Sequence, residues 1–276
     1  IQVVDAFPRT VPGFTSNTPC LGVATTFTDV TTNTPITWEW DFGDGSPVDL
    51  NPNPTHVYGT PGNFNVSLVT SNAFGCFDTL VQTITVYPLP TSVYSFDTVC
   101  DGFTTTFNDA SVNAVAWEWD FDDGSALDLN PSPTHVFPSD GQYNVQLVVT
   151  NTDGCTDTMV QVVDVWPNPV AAFTVDTACH TYLTSFTDGS TAAVQWEWDF
   201  GDGSPINNSV SPTHIYAAAG TYNTEQVVTN VFGCTDTVVQ PVEVLPQPQA
   251  GFTNNTVCAR DVVQFTDTTQ GAPNFW

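Results

Sequence analysis

Hydrophobic and polar residues alternate over short runs of this chain, and no stretch keeps the 3.6-residue period of an amphipathic helix. The runs are rich in Val, Thr and aromatic residues, and clusters of Gly, Asp, Asn and Pro separate them. This pattern predicts short β-strands joined by turns. In one section of the chain, strands are predicted at residues 173–176, 183–186, 194–200, 213–216, 221–229 and 238–244.

Three nearly identical blocks recur at one spacing. They begin at Trp38, Trp117 and Trp196, so the interval from the first to the second equals that from the second to the third. Each block reads Trp-Glu-Trp-Asp-Phe and continues to Asp-Gly-Ser, and a Pro-Thr-His block and a Gly-Cys pair follow in phase. About seven strands in each repeat of about 79 residues predict an all-β fold of tandem immunoglobulin-like sandwiches.

Pro-x-Pro segments follow each copy, at residues 88–90, 167–169 and 246–248. Such joints are short and stiff, so we expect the sandwiches to be stacked end to end in an extended rod. Residues 1–8 resemble residues 81–88, and Trp276 follows Cys258 by the same interval that separates Trp38 from Cys20. The expected domains are the last strand of a preceding repeat at 1–8, full repeats at 9–88, 89–167 and 168–246, and the start of a truncated fourth repeat at 247–276.

The recurring blocks resemble PKD (polycystic kidney disease) domains. The resemblance rests on three blocks, which recur in the same order in each copy with small departures. They are Trp-Asp-Phe-Gly-Asp-Gly-Ser, Pro-Thr-His-Val-Tyr and Gly-x-Tyr-x-Val. Asp122 replaces the first Gly of the second block, and Glu225-Gln226 replaces an apolar pair in the third copy. The added Cys in Thr-x-x-Gly-Cys-x-Asp-Thr is similar to PKD arrays of giant secreted surface proteins of Bacteroidota, including gliding-motility adhesins and cargo of type IX secretion. The resemblance implies an extracellular spacer or adhesin stalk.

Composition excludes several classes of partner. The chain carries 29 acidic and 2 basic side chains, a net charge of −27, yet 41% of its residues are hydrophobic. It can therefore build cores, but Arg9 and Arg260 are too few to neutralise nucleic acid or an anionic membrane surface. No apolar run approaches the length of about 18 residues that a membrane-spanning helix requires, so no membrane insertion is expected.

Two sets of aromatic residues in the blocks have alternative interpretations. Trp38, Trp40 and Phe42 share one face of a strand, which favours a core position over a surface platform for glycans. We therefore expect one buried tryptophan per repeat, and these are Trp40, Trp119 and Trp198. The histidines of the Pro-Thr-His blocks stand one per repeat, which favours a hydrogen-bonded structural role over a shared metal site; they are His56, His135 and His214.

The Asp-Gly stretches of the blocks are typical of tight turns in which Asp bonds backbone amides. The same spacing offers several oxygens to Ca²⁺ but lacks the complete EF-hand pattern. The turn interpretation is favoured, with no cofactor required and weak Ca²⁺ binding as the alternative. The candidate calcium ligands are Asp41, Asp44, Asp120, Asp123, Asp199 and Asp202.

No catalytic motif is found. The sequence contains no Gly-x-Ser-x-Gly, His-Glu-x-x-His or phosphate-binding loop, and any catalytic Asp pair would occur three times over. We therefore expect no catalytic residues and no enzymatic activity.

Seven cysteines in an extracellular β-array imply disulfides. Pairing within repeats would join Cys20 to Cys76, Cys100 to Cys155 and Cys179 to Cys234. In an immunoglobulin-like sandwich, however, the A–B loop would contain Cys20, Cys100 and Cys179, and the F–G loop would contain Cys76, Cys155 and Cys234. These loops lie at opposite ends of one domain, about 20–27 Å apart, whereas a disulfide needs Cα atoms within about 7 Å. End-to-end stacking places the A–B loop of one domain beside the F–G loop of the next. This favours the cross-domain pairs Cys20–Cys155 and Cys100–Cys234, although a deviating A strand leaves the other register open. Cysteines bonded outside this segment would then be Cys76, Cys179 and Cys258.

The resemblance also implies O-glycosylation at Thr in Asp-Thr-apolar triplets, and ordinary strand-edge Thr is the alternative. The candidate residues are Thr79, Thr98, Thr158, Thr177 and Thr237.

Two functions agree with these features. The favoured one is a structural or adhesive stalk of a long extracellular filament or cell-surface adhesin, in which the repeats act as a stiff acidic spacer. Its partners would be neighbouring PKD repeats of the same chain, with other filament subunits or surface glycans as further candidates. The alternative is a carbohydrate- or protein-binding accessory array of a secreted hydrolase.

Overall fold

A computed structural model describes residues 7–17 and 19–271 of the 276-residue chain. All the regular secondary structure of these described residues is β-strand. The chain divides into two compact units. The first comprises Ile1–Asp97, Thr104–His135 and Tyr143–Val163, and the second comprises Thr98–Phe103, Val136–Gln142 and Asp164–Trp276.

The first repeat contains six strands in two sheets. One sheet has the order β1-β2-β4 and the other β3-β5-β6. All neighbouring strands are antiparallel; Trp40 lies opposite Leu68, and Phe14 opposite Asp29. The strands are β1 (Phe14–Ser16), β2 (Thr25–Asp29), β3 (Thr37–Asp41), β4 (Thr55–His56), β5 (Gly62–Ser71) and β6 (Phe77–Val86).

The second repeat has the same strand order with one addition, the short strand β8. Its strands are β7 (Tyr94–Phe96), β8 (Val99–Cys100), β9 (Thr105–Asp109), β10 (Ala116–Asp120), β11 (Thr134–His135), β12 (Gly141–Thr150) and β13 (Thr156–Trp166). In the first unit β9 pairs with both β7 and β11, and β10 pairs with β12. In the second unit β8 runs parallel to the end of β13, with Val99 opposite Val165.

The third repeat lies wholly in the second unit. Its strands are β14 (Phe173–Val175), β15 (Ala178–Cys179), β16 (Leu183–Asp188), β17 (Gln195–Asp199), β18 (Thr213–Ile215), β19 (Gly220–Thr229) and β20 (Thr235–Leu245). They form sheets of order β14-β16-β18 and β15-β20-β19-β17. An antiparallel pair follows, consisting of β21 (Phe252–Asn254) and β22 (Phe265–Asp267).

The core of each sandwich is aromatic. In the first repeat Trp40 is completely buried, and its ring centroid lies 5.1 Å from that of Phe14 and 5.5 Å from that of Phe27. Phe14 and Phe27 come from one sheet and Trp40 from the other, so these contacts join the two layers. Trp119 and Trp198 are equally buried and make the equivalent contacts in their own repeats.

The alternation read from the sequence agrees with the strands. Outward residues Glu39 and Asp41 are exposed on β3, while Trp40 points into the core. The strand pattern did not predict β15, because two residues are too few for a periodic signal. Residues 1–6 of the expected preceding strand and residues 272–276 of the expected fourth repeat, which include Trp276, lie outside the described residues.

Candidate functional site: disulfides, joints and acidic turns

Two disulfides connect successive repeats. Cys20 of the first repeat is bonded to Cys155 of the second, and Cys100 of the second to Cys234 of the third. The Cα atoms of each pair lie 5.7 Å apart. The first bond lies within the first compact unit and the second bond within the second unit. These are the pairs of the cross-domain register, and none of the pairs of the within-repeat register is present among the described residues.

The remaining three cysteines form no disulfide in the part of the chain that the structure describes. Cys76 and Cys179 are partly buried, and Cys258 is exposed. Cys76 follows Gly75 before strand β6, as Cys155 and Cys234 precede β13 and β20. Cys179 ends the short strand β15, as Cys100 ends β8. Each unbonded cysteine of the full repeats is therefore equivalent to a bonded one.

Two cysteines lie outside the loop that the sequence predicts for them, which is the loop between the first two strands of an immunoglobulin-like sandwich. Cys100 and Cys179 each end a short strand that runs parallel to the last strand of the same repeat. Cys20 makes the corresponding parallel bridge to Tyr87. This arrangement arises because the first strand of the sandwich crosses from one sheet to the other. The cysteine is therefore held beside the end of the last strand, where the chain continues into the next repeat.

A buried asparagine, which the sequence analysis missed, organises each turn that carries a Gly-Cys pair. The Asn151 Oδ1 atom accepts hydrogen bonds from the backbone N–H groups of Asp153 and Cys155. The Asn151 Nδ2 atom donates to the carbonyl oxygen of Pro88, in the joint that leads into the repeat. The signal was present in the sequence, because Asn stands four residues before Cys in every copy. The equivalent residues are Asn72, which bonds Pro8, and Asn230, which bonds Pro167.

Aromatic stacking adds to two of these joints. The rings of Phe7 and Phe74 lie 3.9 Å apart and nearly parallel, and those of Trp166 and Phe232 lie 4.2 Å apart. In each pair one ring precedes the joint proline and the other belongs to the turn with the Gly-Cys pair. The joint residues thus contact the same turn through a ring and through the asparagine.

The Asp-Gly stretches form hydrogen-bonded turns. In the first repeat Asp41 Oδ1 accepts from the N–H of Gly43, and Asp44 Oδ1 accepts from the N–H of Ser46. Asp44 Oδ2 lies 2.7 Å from His56 Nε2, and the imidazole of His56 stacks on Phe42 with centroids 4.1 Å apart. The other copies contain the same hydrogen bonds around Asp120, Asp123 and His135, and around Asp199, Asp202 and His214.

This network keeps the carboxyl of Asp44 ionised. Partial burial opposes ionisation, but hydrogen bonds from Ser46 and His56 outweigh it and lower the pKa of Asp44 to about 2. The same balance lowers the pKa of Asp123 and of Asp202. Most of the oxygen atoms that a calcium ion would need are thus engaged by the turn and by His. Within residues 7–17 and 19–271, no three His, Cys, Asp or Glu side chains are grouped as a metal site requires.

A second aspartate holds the partly buried tryptophan of the first two blocks. The indole Nε1 of Trp38 donates to Asp29 Oδ2 at 2.8 Å, and Trp117 makes the same bond to Asp109. Trp38 packs against the core of its repeat, so the tandem tryptophans contribute to the interior. In the third repeat the equivalent Asp188 accepts instead from the fully buried Gln226, at 2.7 Å. Burial opposes ionisation of Asp188, but hydrogen bonds from Ser190 and Gln226 lower its pKa.

The five threonines of the Asp-Thr-apolar triplets are all exposed; they are Thr79, Thr98, Thr158, Thr177 and Thr237. Two of the preceding aspartates have a structural role. Asp157 Oδ2 accepts from the N–H of Ser92, and Asp236 Oδ2 from the N–H of Ala171. These bonds tie the last strand of a repeat to the segment that enters it. None of the described residues belongs to a helix long and apolar enough to cross a membrane.

Comparison with known proteins identifies similar sequences. The family profile described as PKD domain matches residues 15–87, 90–166 and 166–245. Polycystin-1 of Homo sapiens is 25% identical over 201 residues, which are 68% of this chain and 5% of polycystin-1. The PKD1 domain of the Vibrio cholerae metalloprotease PrtV is 27% identical, with a TM-score of 0.26 over 28% of this chain and 98% of that domain. The PKD1 domain of Vibrio anguillarum Epp is 26% identical, with a TM-score of 0.27 over 29% of this chain and 95% of that domain.

Proposed function

Because the chain belongs to the PKD domain family, we propose that it is part of the shaft of an extracellular filament or cell-surface adhesin. In this role the repeats act as a stiff, acidic, non-catalytic spacer. The proposal extends to the giant secreted surface adhesins of the Bacteroidota type, with export by type IX secretion and a place in gliding motility. The observation that carries it is the pair of disulfides that join the first repeat to the second and the second to the third.

The disulfides support this role in two ways. Disulfides persist in oxidising surroundings, which fits an extracellular protein. Each bond also resists separation of two successive repeats, since Cys20 and Cys155 belong to different repeats of the first unit. The Asn151–Pro88 hydrogen bond acts at the same joint. A shaft that carries load requires joints of this kind, whereas a flexible tether would not.

The charge of the chain supports the same role. A net charge of −27 repels neighbouring shafts over about 8 Å at physiological salt. The basic residues Arg9 and Arg260 are the only cleavage points for trypsin-like proteases, because the chain has no Lys. The long segment between them therefore resists this class of protease.

The unbonded cysteines extend the proposal to further repeats. Cys76 is equivalent to Cys155, and Cys179 to Cys100, so both would form the same kind of bond with PKD repeats beyond this segment. Cys258 would do so as the corresponding residue of the next repeat. Neighbouring PKD repeats of the same protein are thus the proposed partners, and other filament subunits or surface glycans would meet the exposed faces.

Glycosylation is part of the proposal. The five threonines of the Asp-Thr-apolar triplets are exposed and would accept O-linked glycans without disturbing the core. Intact-mass spectrometry of protein from its native source is expected to show mass above that of the bare chain. A mass equal to the bare chain would overturn this part alone.

Small-angle X-ray scattering on the full chain without reductant tests the shaft. Three repeats in a row, each with strands about 35 Å long, make a rod about 105 Å long and predict a radius of gyration of roughly 30 Å. A compact chain of this length would give about 19 Å, and that result would overturn the proposal. Antibody labelling of intact source cells, expected to reach the protein, tests the location. If antibodies failed to label the protein on intact cells, the proposal would also be overturned. Binding of the protein to a glycan array would favour the accessory role.

A further inference from the structure

The two disulfides are interleaved along the sequence. Their cysteines occur in the order Cys20, Cys100, Cys155, Cys234, and the first bonds the third while the second bonds the fourth. Cys100 therefore lies inside the loop closed by Cys20–Cys155, and Cys155 lies inside the loop closed by Cys100–Cys234. Pairing within repeats would instead have closed separate loops, one after another.

Interleaving has a consequence for a broken backbone. A cut between Cys20 and Cys100 leaves fragments joined by Cys20–Cys155, and a cut between Cys155 and Cys234 leaves fragments joined by Cys100–Cys234. Between Cys100 and Cys155 both bonds join the fragments. Any single cleavage between Cys20 and Cys234 thus leaves one covalent molecule.

Interleaving also shortens the covalent path along the unfolded chain. Without disulfides, the path from Cys20 to Cys234 runs through every residue between them. With them, the shortest path passes from Cys20 to Cys155, back along the backbone to Cys100, and across the second bond to Cys234. At about 3.4 Å per extended residue, the maximum span falls from about 730 Å to about 190 Å.

Exposed cleavage points make this property relevant. Proteases that prefer aromatic or leucine residues would find Leu50, Phe103 and Leu129 on the surface, with 67%, 61% and 67% of each residue exposed. All three lie between Cys20 and Cys234, and each lies inside at least one disulfide loop. The lack of Lys protects the chain from trypsin-like enzymes only, whereas a shaft outside the cell meets other proteases as well.

We propose that the interleaved disulfides make the repeats a covalent ladder, whose function is to keep the shaft continuous after backbone cleavage and to limit its extension under load. The biological purpose rests on the proposed shaft function, but the ladder itself does not. It depends only on which cysteines are bonded. Scattering and cell labelling test the shaft, and the cleavage experiment below tests the ladder, so either can fail while the other holds.

Met159 is the only methionine of the chain and lies between Cys155 and Cys234, so cyanogen bromide cuts the native protein once inside the ladder. Free thiols are alkylated first, and the products are separated in denaturant. The expected result is one band without reductant and two bands after reduction. In Cys100→Ser/Cys234→Ser, two bands are expected without reductant, while Cys20→Ser/Cys155→Ser should behave like the native protein.

Moving the methionine tests the other intervals. In a Met159→Leu background, Leu89→Met places the cut between Cys20 and Cys100, and Leu129→Met places it between Cys100 and Cys155. Both should stay in one piece until reduced. The matched control Leu245→Met lies beyond Cys234 and should release its C-terminal fragment without reductant. Leu is tolerated at position 159, since the first repeat has Leu80 there. Two bands from native protein without reductant would overturn the ladder, whatever the variants do.

Discussion

The side-chain amide of Asn151 donates a hydrogen bond to the carbonyl oxygen of Pro88, 2.9 Å away. Its oxygen meanwhile accepts from the N–H groups of Asp153 and Cys155, at 3.0 and 2.9 Å. One buried side chain thus holds the turn that presents Cys155 and attaches this turn to the joint before the repeat. The disulfide with Cys20 is therefore made from a turn that Asn151 holds in place.

Replacement of Asn151 by alanine should destabilise the second repeat. The change removes three hydrogen bonds and leaves the buried N–H of Cys155 without its side-chain partner, which costs about 1–3 kcal/mol in free energy of unfolding. Urea unfolding followed by tryptophan fluorescence measures the loss. Thr152→Ala, an exposed position on the same turn, is the matched control and should change stability little. Equal stability of the two variants would contradict the role of Asn151.

The first glycine of the Asp-Gly turn should tolerate Asp better than Ala. A Cβ atom at Gly43 would lie 2.6 Å from the carbonyl oxygen of Asn65, at a backbone φ of 76°. The second repeat nevertheless has Asp122 there at φ 60°, where its Oδ2 accepts from the N–H and the side chain of Asn144. Gly43→Ala should cost roughly 2 kcal/mol or more, since it adds strain without these bonds.

Two variants complete that comparison. Gly43→Asp should be less destabilising than Gly43→Ala, because Asn65 offers the same donors as Asn144. Gly45→Ala, also at positive φ but with open space around its Cβ position, should cost only about 1–2 kcal/mol. Thermal unfolding ranks the stability of the three variants. If Gly43→Ala were the most stable of them, the result would contradict the close contact between a Cβ atom at position 43 and the carbonyl oxygen of Asn65.

Acid should weaken the turn that contains Asp44. The pKa of its carboxyl is about 2 in the folded chain against an ordinary value of 3.8. A lowered pKa stabilises the fold above about pH 4, and this contribution disappears as the pH falls from about 4 to 2. It amounts to at most about 2 kcal/mol. Unfolding free energies measured across this range should fall less steeply in Asp44→Asn than in the native protein, whereas the exposed control Asp97→Asn should keep the native slope.

Loss of a cross-repeat disulfide should destabilise the array. The Cys20–Cys155 bond has a sequence separation of 135 residues, and closure of such a loop is worth about 4–5 kcal/mol in the chain-entropy description. Cys20→Ser/Cys155→Ser should therefore unfold at lower denaturant concentration. Cys76→Ser is the control, because Cys76 has no disulfide partner among the described residues. Peptide mapping without reductant should recover Cys20 joined to Cys155, and a Cys20–Cys76 peptide would refute the pairing.

Calcium should act on this protein mainly as a screening cation. The turn aspartates already bond backbone amides and histidine, and the large negative charge attracts any cation. Thermal unfolding in about 5 mM CaCl₂ should therefore show the same small rise as in NaCl of equal ionic strength. A rise of many degrees with Ca²⁺ alone, lost in Asp41→Asn, would instead indicate specific sites.

The repeated β-architecture and the residues of the core follow from the amino-acid sequence alone. The alternation Trp38-Glu39-Trp40 places every second side chain on one face, because the strand period is two, and the identical block in three copies repeats the result. The hydrogen-bonded character of the Asp-Gly turns and of the Pro-Thr-His histidines also follows from residue types. These properties depend on neighbouring residues or on the period of a strand, so the sequence pattern is enough to predict them.

The pairing of the cysteines and the identity of the residues that hold the joints depend on how the whole chain folds. Cys20 and Cys155 are separated by 135 residues in the sequence. Their Cα atoms lie 5.7 Å apart because the path of the first strand and the position of strand β13 bring the two cysteines together. Asn151 looks like an ordinary turn residue in the sequence, and its bond to Pro88 exists only because the chain folds back on the joint. Likewise, Gln226 breaks the apolar pattern but is satisfied in the core by Asp188, from another sheet. Contacts between residues that are far apart in the sequence produce no periodic pattern, so they can be identified only from the folded structure.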